Sequence, residues 1–485
     1  MSNLIIYFIK LFKGKSIEVL VSIIRNKLFS VYLGVQGFAI LSQFISIKQT
    51  FSNINQLNLS ECCVKQIVES KKSDNKNEIF SYILVKYLKL TLFISFILYP
   101  IYIIFQKQLT IFIFGSVEYS YAFYLVLLSY PVILVSTLPF SILKANKEID
   151  YIKKIKIKSS FLFLISITTF FVYKNLTSSF VIIIFINLIV LNLNLYYAYK
   201  CLKKNKIKIS YINKIENQFK FNAEYYKFLK FGIFTGILIS TNDIICRNIV
   251  INKLGINDYG IYVPILNLMT LVTSFIYPIF STYLYTKFCE AKTPENICKN
   301  LNEGFRLSLL FMLPTSLCII ATDKYLINLF FSDEFLPALF YLKYHFSFLI
   351  IHILIYVFIQ SMASTGRIKS QSYMMIAYTI LNIIVTYYGV INFGISGFLL
   401  KYIIPPLLML IIYYVYYYKS INFKAQNIYP LLIHYIFCNS ILIYINNLKV
   451  NFGLMLITAI FFILMTLLFI SKNEINILKN RIIND

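Results

Sequence analysis

Tryptophan is absent from this 485-residue chain, histidine occurs three times, and charged residues make up only 14%. An ordinary soluble protein carries about 25% charge, and a soluble chain of this length could not cover its surface with so little. The shortage excludes a soluble enzyme and a disordered tail protein. Eight scattered cysteines do not make a secreted disulfide scaffold, and no metal-ligand spacing appears among them. Acids are the scarcer charge: 20 Asp and Glu stand against 46 Lys and Arg, a formal net charge of +26. What the chain has instead is apolar bulk, with 59% hydrophobic residues and a mean hydropathy of +0.72. That combination leaves an all-α, polytopic integral membrane protein.

A bilayer core about 30 Å thick needs about 20 apolar residues per helix. Fourteen stretches qualify: 16–34, 36–58, 79–105, 119–143, 159–174, 177–199, 229–252, 259–284, 306–331, 337–363, 372–390, 394–418, 428–446 and 452–471. With the N-terminus placed in the cytoplasm, 33 of the 46 cations fall on inner segments. Five (Lys107, Lys174, Lys253, Lys324 and Lys449) fall on outer loops, and eight lie inside spans. Cytoplasmic loops carry the excess of Lys and Arg, so this split predicts both termini inside. It also accounts for most of the positive charge without nucleic acid. No small-residue cleavage site flanks a span, so no cleaved signal is expected. The loops are short, which predicts no extramembrane domain. The Lys-rich segment 200–227 is the longest inner connection and reads as a linker at the membrane surface. Cys62, Cys63, Cys201, Cys289 and Cys298 fall on inner loops, where the reducing compartment argues against disulfides.

The chain repeats itself. KLFSVYLGVQGFAIL (27–41) resembles NIVINKLGINDYGIY (248–262), with Leu33-Gly34 against Leu254-Gly255 at an offset of 221. FGSVEYSYAFYL (114–125) resembles FFSDEFLPALFYL (330–342) at offset 216, and Lys144–Lys147 falls against Ser364–Arg367 at offset 220. The unit holds six spans, and an even number returns the chain to its starting side. Both copies therefore insert in the same orientation, and the expected pseudo-two-fold axis runs along the membrane normal. The organisation predicted is a six-helix lobe over 1–205, a cytoplasmic linker over 206–228, a second six-helix lobe over 229–420, and two extra helices with a tail over 421–485. A cleft between two such lobes is where a transporter binds its cargo.

Eight cations lie inside spans, Arg25, Lys27, Lys48, Lys86, Lys89, Arg247, Lys343 and Lys401, against two acids, Glu18 and Asp243. A charge in the membrane is costly and faces a wet cavity or a partner, unless its stem reaches the interface. Lys27, Lys86 and Lys401 lie close enough to span ends to do that; Arg25, Lys48 and Arg247 lie near mid-span. Glu18, Ser22 and Arg25 recur on one helical face, as do Gly236, Ser240, Asp243 and Arg247. Asp243 and Arg247 form an i,i+4 pair suited to a salt bridge, which would be either a charge pair of the site or an interhelical staple. Arg25 and Arg247 stand nine and eight residues before the shared glycine, so the two copies carry similar cationic faces. Span 2 is polar along Gln43, Ser46, Lys48, Gln49, Ser52, Asn53 and Gln56. A cleft with many cations and few acids selects an anion, and guanidinium and ammonium groups suit phosphate. The expected substrate-binding residues are Arg25, Lys48, Lys89, Arg247 and Lys343, with Glu18 and Asp243 as coupling or charge-pair acids. His345 and His352, seven apart on one span, are either a proton relay or packed histidines. Pro264, Pro278, Pro314, Pro405 and Pro406 are candidate kinks. No catalytic constellation, metal site or cofactor motif appears, so the chain does not read as an enzyme.

The Leu33-Gly34-Val35-Gln36-Gly37-Phe38-Ala39 turn, the polar run NINQLNLSECCVKQIVE (53–69), LFFSDEF (329–335), STGRIKS (364–370) and INFGISG (391–397) resemble the polysaccharide-export flippases of the Wzx type. Their superfamily also holds the MATE antiporters and the lipid II flippases. The resemblance covers most of the chain, with Ala39 where a glycine is frequent and Glu61-Cys62-Cys63 where small residues are usual. It implies translocation of undecaprenyl-pyrophosphate-linked oligosaccharide units across a bacterial inner membrane, for O-antigen or capsule. A proton or sodium ion would be the coupling partner, and a polymerase and other polysaccharide-assembly proteins would be neighbours. The alternatives are a MATE-like ion-coupled exporter, which should carry more acids in its cavity, and a membrane glycosyltransferase or polymerase, which should carry a sizeable outer loop.

Overall fold

The computed structural model describes residues 2–56, 63, 67, 76–146, 148–173, 176–205, 223–280, 284–291, 293–425, 428–448, 450–466 and 469. Among these the regular structure is entirely helical, with no strand. The first stretch runs α1 (Ser2–Gln56), α2 (Lys76–Ile104), α3 (Gln106–Phe114), α4 (Ser120–Ala145), α5 (Ile149–Tyr173) and α6 (Leu176–Lys204). It is followed by α7 (Ala223–Leu254), α8 (Ile256–Ile279), α9 (Tyr285–Glu290), α10 (Pro294–Ala321), α11 (Asp323–Phe330) and α12 (Leu339–Ser364). The chain continues through α13 (Ile368–Phe393), α14 (Ile395–Leu400), α15 (Ile404–Ile421), α16 (Tyr429–Asn447) and α17 (Phe452–Thr466).

The backbone keeps the repeat that the sequence suggests. Gly34 sits inside α1 at φ 62, ψ −171 and divides it into two helical halves; its counterpart Gly255, at φ 96, separates α7 from α8. Only glycine enters these regions without strain, which is why the Leu-Gly pair recurs. Farther on, α3 leads into a 3₁₀ turn at Val117–Tyr119, and α11 leads into one at Asp333–Ala338. Ser116 and Ser332 hold the same extended position before each turn, and the Ser116 hydroxyl accepts the Glu118 N–H at 3.2 Å. The next helix is 26 residues long in both copies, α4 and α12.

The copies differ at their sixth span. α6 is continuous, but its counterpart breaks at residues 401–403 between α14 and α15. Pro405 and Pro406 have no N–H to give the carbonyls of Lys401 and Tyr402 four residues earlier. Tyr402 C=O instead lies 3.2 Å from His352 Nε2. Pro264 and Pro314, expected as kinks, lie inside uninterrupted helices.

The described residues of the fourteen stretches lie mostly on helix. Among the described residues nine helices are long and apolar enough to cross a membrane, or ten when Phe96–Ile104 and Gln106–Phe114, bent by 76°, count as one broken span. α1 qualifies once, as Val19–Ile47, although Gly34 divides it. The described part of α17 is 15 residues, Phe452–Thr466. The outside of the protein is apolar, with Phe96 80% and Ile457 68% exposed, the reverse of a soluble surface.

The chain forms two compact units, Leu20–Ile256 and Asn257–Asp485 with Met1–Val19. In the first, α6 packs on α4 and α5 around Leu143, Ala145, Ile155, Tyr197 and Cys201, and Phe44 stacks on Phe180 at 4.1 Å. In the second, α10 packs on α12, α16 and α17, and Phe305, Phe358 and Phe423 meet edge to face. The hairpin α13–α14 turns at Gly394 and closes on two glycines: a Cβ on Gly397 would stand 1.8 Å from the Gly389 carbonyl oxygen.

Candidate functional site

The in-span charges fall into both units. In the first, Arg25 is half-buried on the leading half of α1, where Nε and Nη2 donate to Asn26 Oδ1 at 3.4 and 3.3 Å. Asn26 is itself buried. Arg247 is half-buried on α7 and its Nη1 donates to Ser46 Oγ on the trailing half of α1. The second copy's arginine is therefore bonded to the polar face of span 2. Gln43 on the same half is buried and donates to Ile113 C=O at 3.3 Å. Asp243, one turn before Arg247, is exposed, as is Lys89 on α2. The side chains of Glu18 and Lys48 lie outside the described residues, as do those of Gln49, Ser52, Asn53 and Gln56.

Lys343 belongs to the second unit. It is buried on α12, and its ammonium donates to Asn446 Oδ1 at 3.3 Å and to Asn447 Oδ1. Asn446 in turn donates to Asp323 Oδ2 at 2.9 Å and to Ile320 C=O at 3.2 Å. The network ties α12 to α16 and to the α10–α11 junction. A buried ammonium with amide and carboxylate partners is how an in-membrane charge is accommodated. Sequence reasoning missed Asn446, Asn447 and Asp323. The asparagines stand more than a hundred residues from Lys343, and an Asn pair at a helix end has no periodicity to detect.

The histidines are held in place. His345 is buried, with Nδ1 2.8 Å from the Tyr262 hydroxyl and Nε2 3.0 Å from Met269 Sδ. His352 bonds the broken span through Tyr402. Lys401, at that break, is buried at 3% exposure, with its ammonium 5.1 Å from the Tyr402 ring and 5.7 Å from Phe398. The interface-seeking reading of Lys401 does not fit a side chain buried among rings.

The sequence matches no family model and no curated protein. Solved structures do match. Lipid II flippase MurJ, in an inward closed conformation, superposes with a TM-score of 0.68 at 17% identity, covering 95% of this chain and 97% of MurJ. The chain shares the fold of that structure. An inward-facing multidrug resistance MATE transporter of the MOP superfamily follows at TM-score 0.65 and 14% identity, covering 84% and 94% of the two chains. A MOP transporter from Pyrococcus furiosus, described by a binding pocket of reversed polarity, gives 0.62 and 13%, covering 86% and 95%. The twentieth of this chain left out by the MurJ match is shorter than 421–485. That match therefore runs into the last two helices of this chain, whereas the MATE match leaves out about a sixth.

Proposed function

We propose that this protein is a flippase that carries undecaprenyl-pyrophosphate-linked oligosaccharide repeat units from the cytoplasmic to the outer leaflet of a bacterial inner membrane, for O-antigen or capsule synthesis. The observation that carries this reading is the excess of cations over acids inside the spans, with Arg25 and Arg247 both half-buried in one compact unit. The likeness to a lipid II flippase, extending into the C-terminal helices, supports it. A guanidinium stays charged at any physiological pH and presents a fork that matches phosphate. Arg247 Nη1 donates to the Ser46 hydroxyl, and a diphosphate offers a guanidinium stronger, charge-assisted bonds than a hydroxyl does. Asp243 and Glu18 would serve as the anions that compete for these cations on release, and either could take up the proton of a coupled cycle. Lys48, Lys89 and Lys343 are the further cations proposed to meet the cargo. A cation exporter would need more acids than these two.

The direct test is flipping of a fluorescent lipid-linked oligosaccharide by the purified protein in liposomes. Accelerated loss of the inner-leaflet signal is expected, and none with a cationic dye as cargo; transport of the dye alone would reverse the substrate class. The orientation is tested separately. Cysteines introduced at Asn175 and Lys324, on a background without native cysteines, are expected to react with an impermeant thiol reagent added outside, while those at Asn205 and Lys472 are not. The opposite labelling would invert the topology.

A further inference from the structure

One end of the first unit carries far more charge than the repeat requires. The C-terminus of α4, the first turns of α5 and the last turns of α6 come together there, joined by Leu143, Ala145, Ile155, Tyr197 and Cys201. Around that apolar centre stand Lys144, Lys153, Lys154, Lys156, Lys158, Lys200, Lys203 and Lys204, and none of the eight is buried. The acids on the same segments are Glu148 and Asp150, and Glu148 is already bound to Lys204 at 2.8 Å. The matching segments of the second copy, around 364–378 and 417–424, hold Arg367, Lys369, Lys419 and Lys424, half as many. There Arg367 is tied to Ser420 Oγ at 2.9 Å and lies over the rings of Tyr416 and Tyr417. A general preference for positive charge on one side of a membrane would act on both copies alike, so the eight lysines ask for a separate cause.

Tyrosines are set among them. Lys158 Nζ lies 5.5 Å from the Tyr197 ring, Lys200 Nζ 5.2 Å from Tyr196 and Lys204 Nζ 5.9 Å from Tyr151. Tyr196 and Tyr199 are exposed. Amphipathic rings at the end of an apolar helix mark the headgroup level of a bilayer, so the lysines lie where lipid phosphates are. The choice of lysine is informative as well. Arginine suits one ligand gripped by two parallel hydrogen bonds, whereas lysine is a hydrated point charge on a flexible stem. Eight lysines and no arginine fit many exchangeable monovalent phosphates better than one diphosphate of fixed geometry. Clusters of four to eight such cations beside a membrane helix bind anionic lipid.

We propose that this lysine end of α4, α5 and α6 is a docking surface for the headgroup phosphates of anionic phospholipids in the adjoining leaflet. It gives the first copy an attachment to lipid that the second lacks. The sequence continues directly into 206–222 with four more lysines and one acid, so the basic character extends beyond α6.

The test uses the full-length protein in vesicles of phosphatidylcholine with and without phosphatidylglycerol, reading retained phosphatidylglycerol by native mass spectrometry. Lys154→Gln/Lys158→Gln/Lys200→Gln is expected to weaken phosphatidylglycerol association at least about tenfold, since each lysine near an anionic surface adds to the attraction, and to flatten its salt dependence. Arg367→Gln/Lys369→Gln/Lys419→Gln removes the same charge from the second copy and is expected to change little. Lys154→Arg/Lys158→Arg/Lys200→Arg is expected to retain binding. Should the triple glutamine variant aggregate, Lys158→Gln alone is expected to show a smaller loss in the same direction. Equal losses in the two glutamine triples would overturn the proposal. So would unchanged phosphatidylglycerol binding beside lost binding of added undecaprenyl pyrophosphate, which would assign the surface to the lipid carrier.

Discussion

Arg247→Ala is expected to abolish surface glycan in a complementation assay while leaving the protein's amount in the membrane unchanged, and Arg25→Ala is expected to do the same. Truncating one member of a desolvated, hydrogen-bonded charge pair costs about 2–5 kcal/mol, enough to empty a binding site at cellular concentrations. Arg247 donates to Ser46 Oγ and Arg25 to its own neighbour Asn26, so the protein's amount in the membrane serves as the control for folding. Arg247→Lys separates charge from geometry. It keeps the cation and loses the fork, so partial export is expected. Normal export by both alanine variants would remove these residues from the cargo's path and the pyrophosphate from the proposal. Ser46→Ala adds a finer reading: without its resting partner, Arg247 should bind an anion at least as tightly, while turnover changes.

The second large effect is on folding. Gly397→Ala is expected to yield a protein that does not leave detergent as a single species in size-exclusion chromatography, or one whose melting temperature is lowered by many degrees. Overpacking a core with a side chain costs about 1–3 kcal/mol because neighbouring rotamers give way. Here the obstacle is backbone. The added carbon would stand 1.8 Å from the Gly389 carbonyl oxygen and 2.7 Å from the Val390 nitrogen, and neither can rotate aside. The α13–α14 hairpin would have to open. Gly453→Ala, at a helical glycine with open space around it, serves as the matched control and is expected to be silent. A well-folded Gly397→Ala protein would show that the two helices do not touch as closely as the structure has them.

Much of this architecture was legible in the residues because it depends on local rules. Leu33-Gly34 and Leu254-Gly255 could be paired by eye, and both glycines hold positive φ. The resemblance of FGSVEY to FFSDEF became a pair of 3₁₀ turns after short helices. Pro405-Pro406 pointed to a break and marks one, yet Pro264 and Pro314 sit within continuous helix. A single proline removes one backbone bond, which neighbouring helices tolerate; two in succession remove adjacent ones. The candidate site was less legible. Arg25 and Arg247 were found by their place before the glycine, but the Arg247–Ser46 bond joins residues 201 apart. The network around Lys343 draws on α10, α11 and α16, and no spacing rule connects them. Periodicity shows which face of a helix is polar and leaves open which other face it meets.

The break at 401–403 gives the two copies different mechanical compliance. Bending α6 at the corresponding level would strain intact helical bonds one after another. Bending between α14 and α15 disturbs no bond from Pro405 or Pro406, since neither has one to give. The six-residue α14 is stapled to α13 by the Gly389–Gly397 contact, so any flexure of that span is directed into α15. The His352–Tyr402 contact is then the fastener that holds the joint at its present angle. The two copies thus differ at this level: α6 is continuous helix, whereas 401–403 is a turn carried by the tighter bonds Tyr402 N–H to Leu399 C=O at 2.9 Å and Ile403 N–H to Leu400 C=O at 3.1 Å.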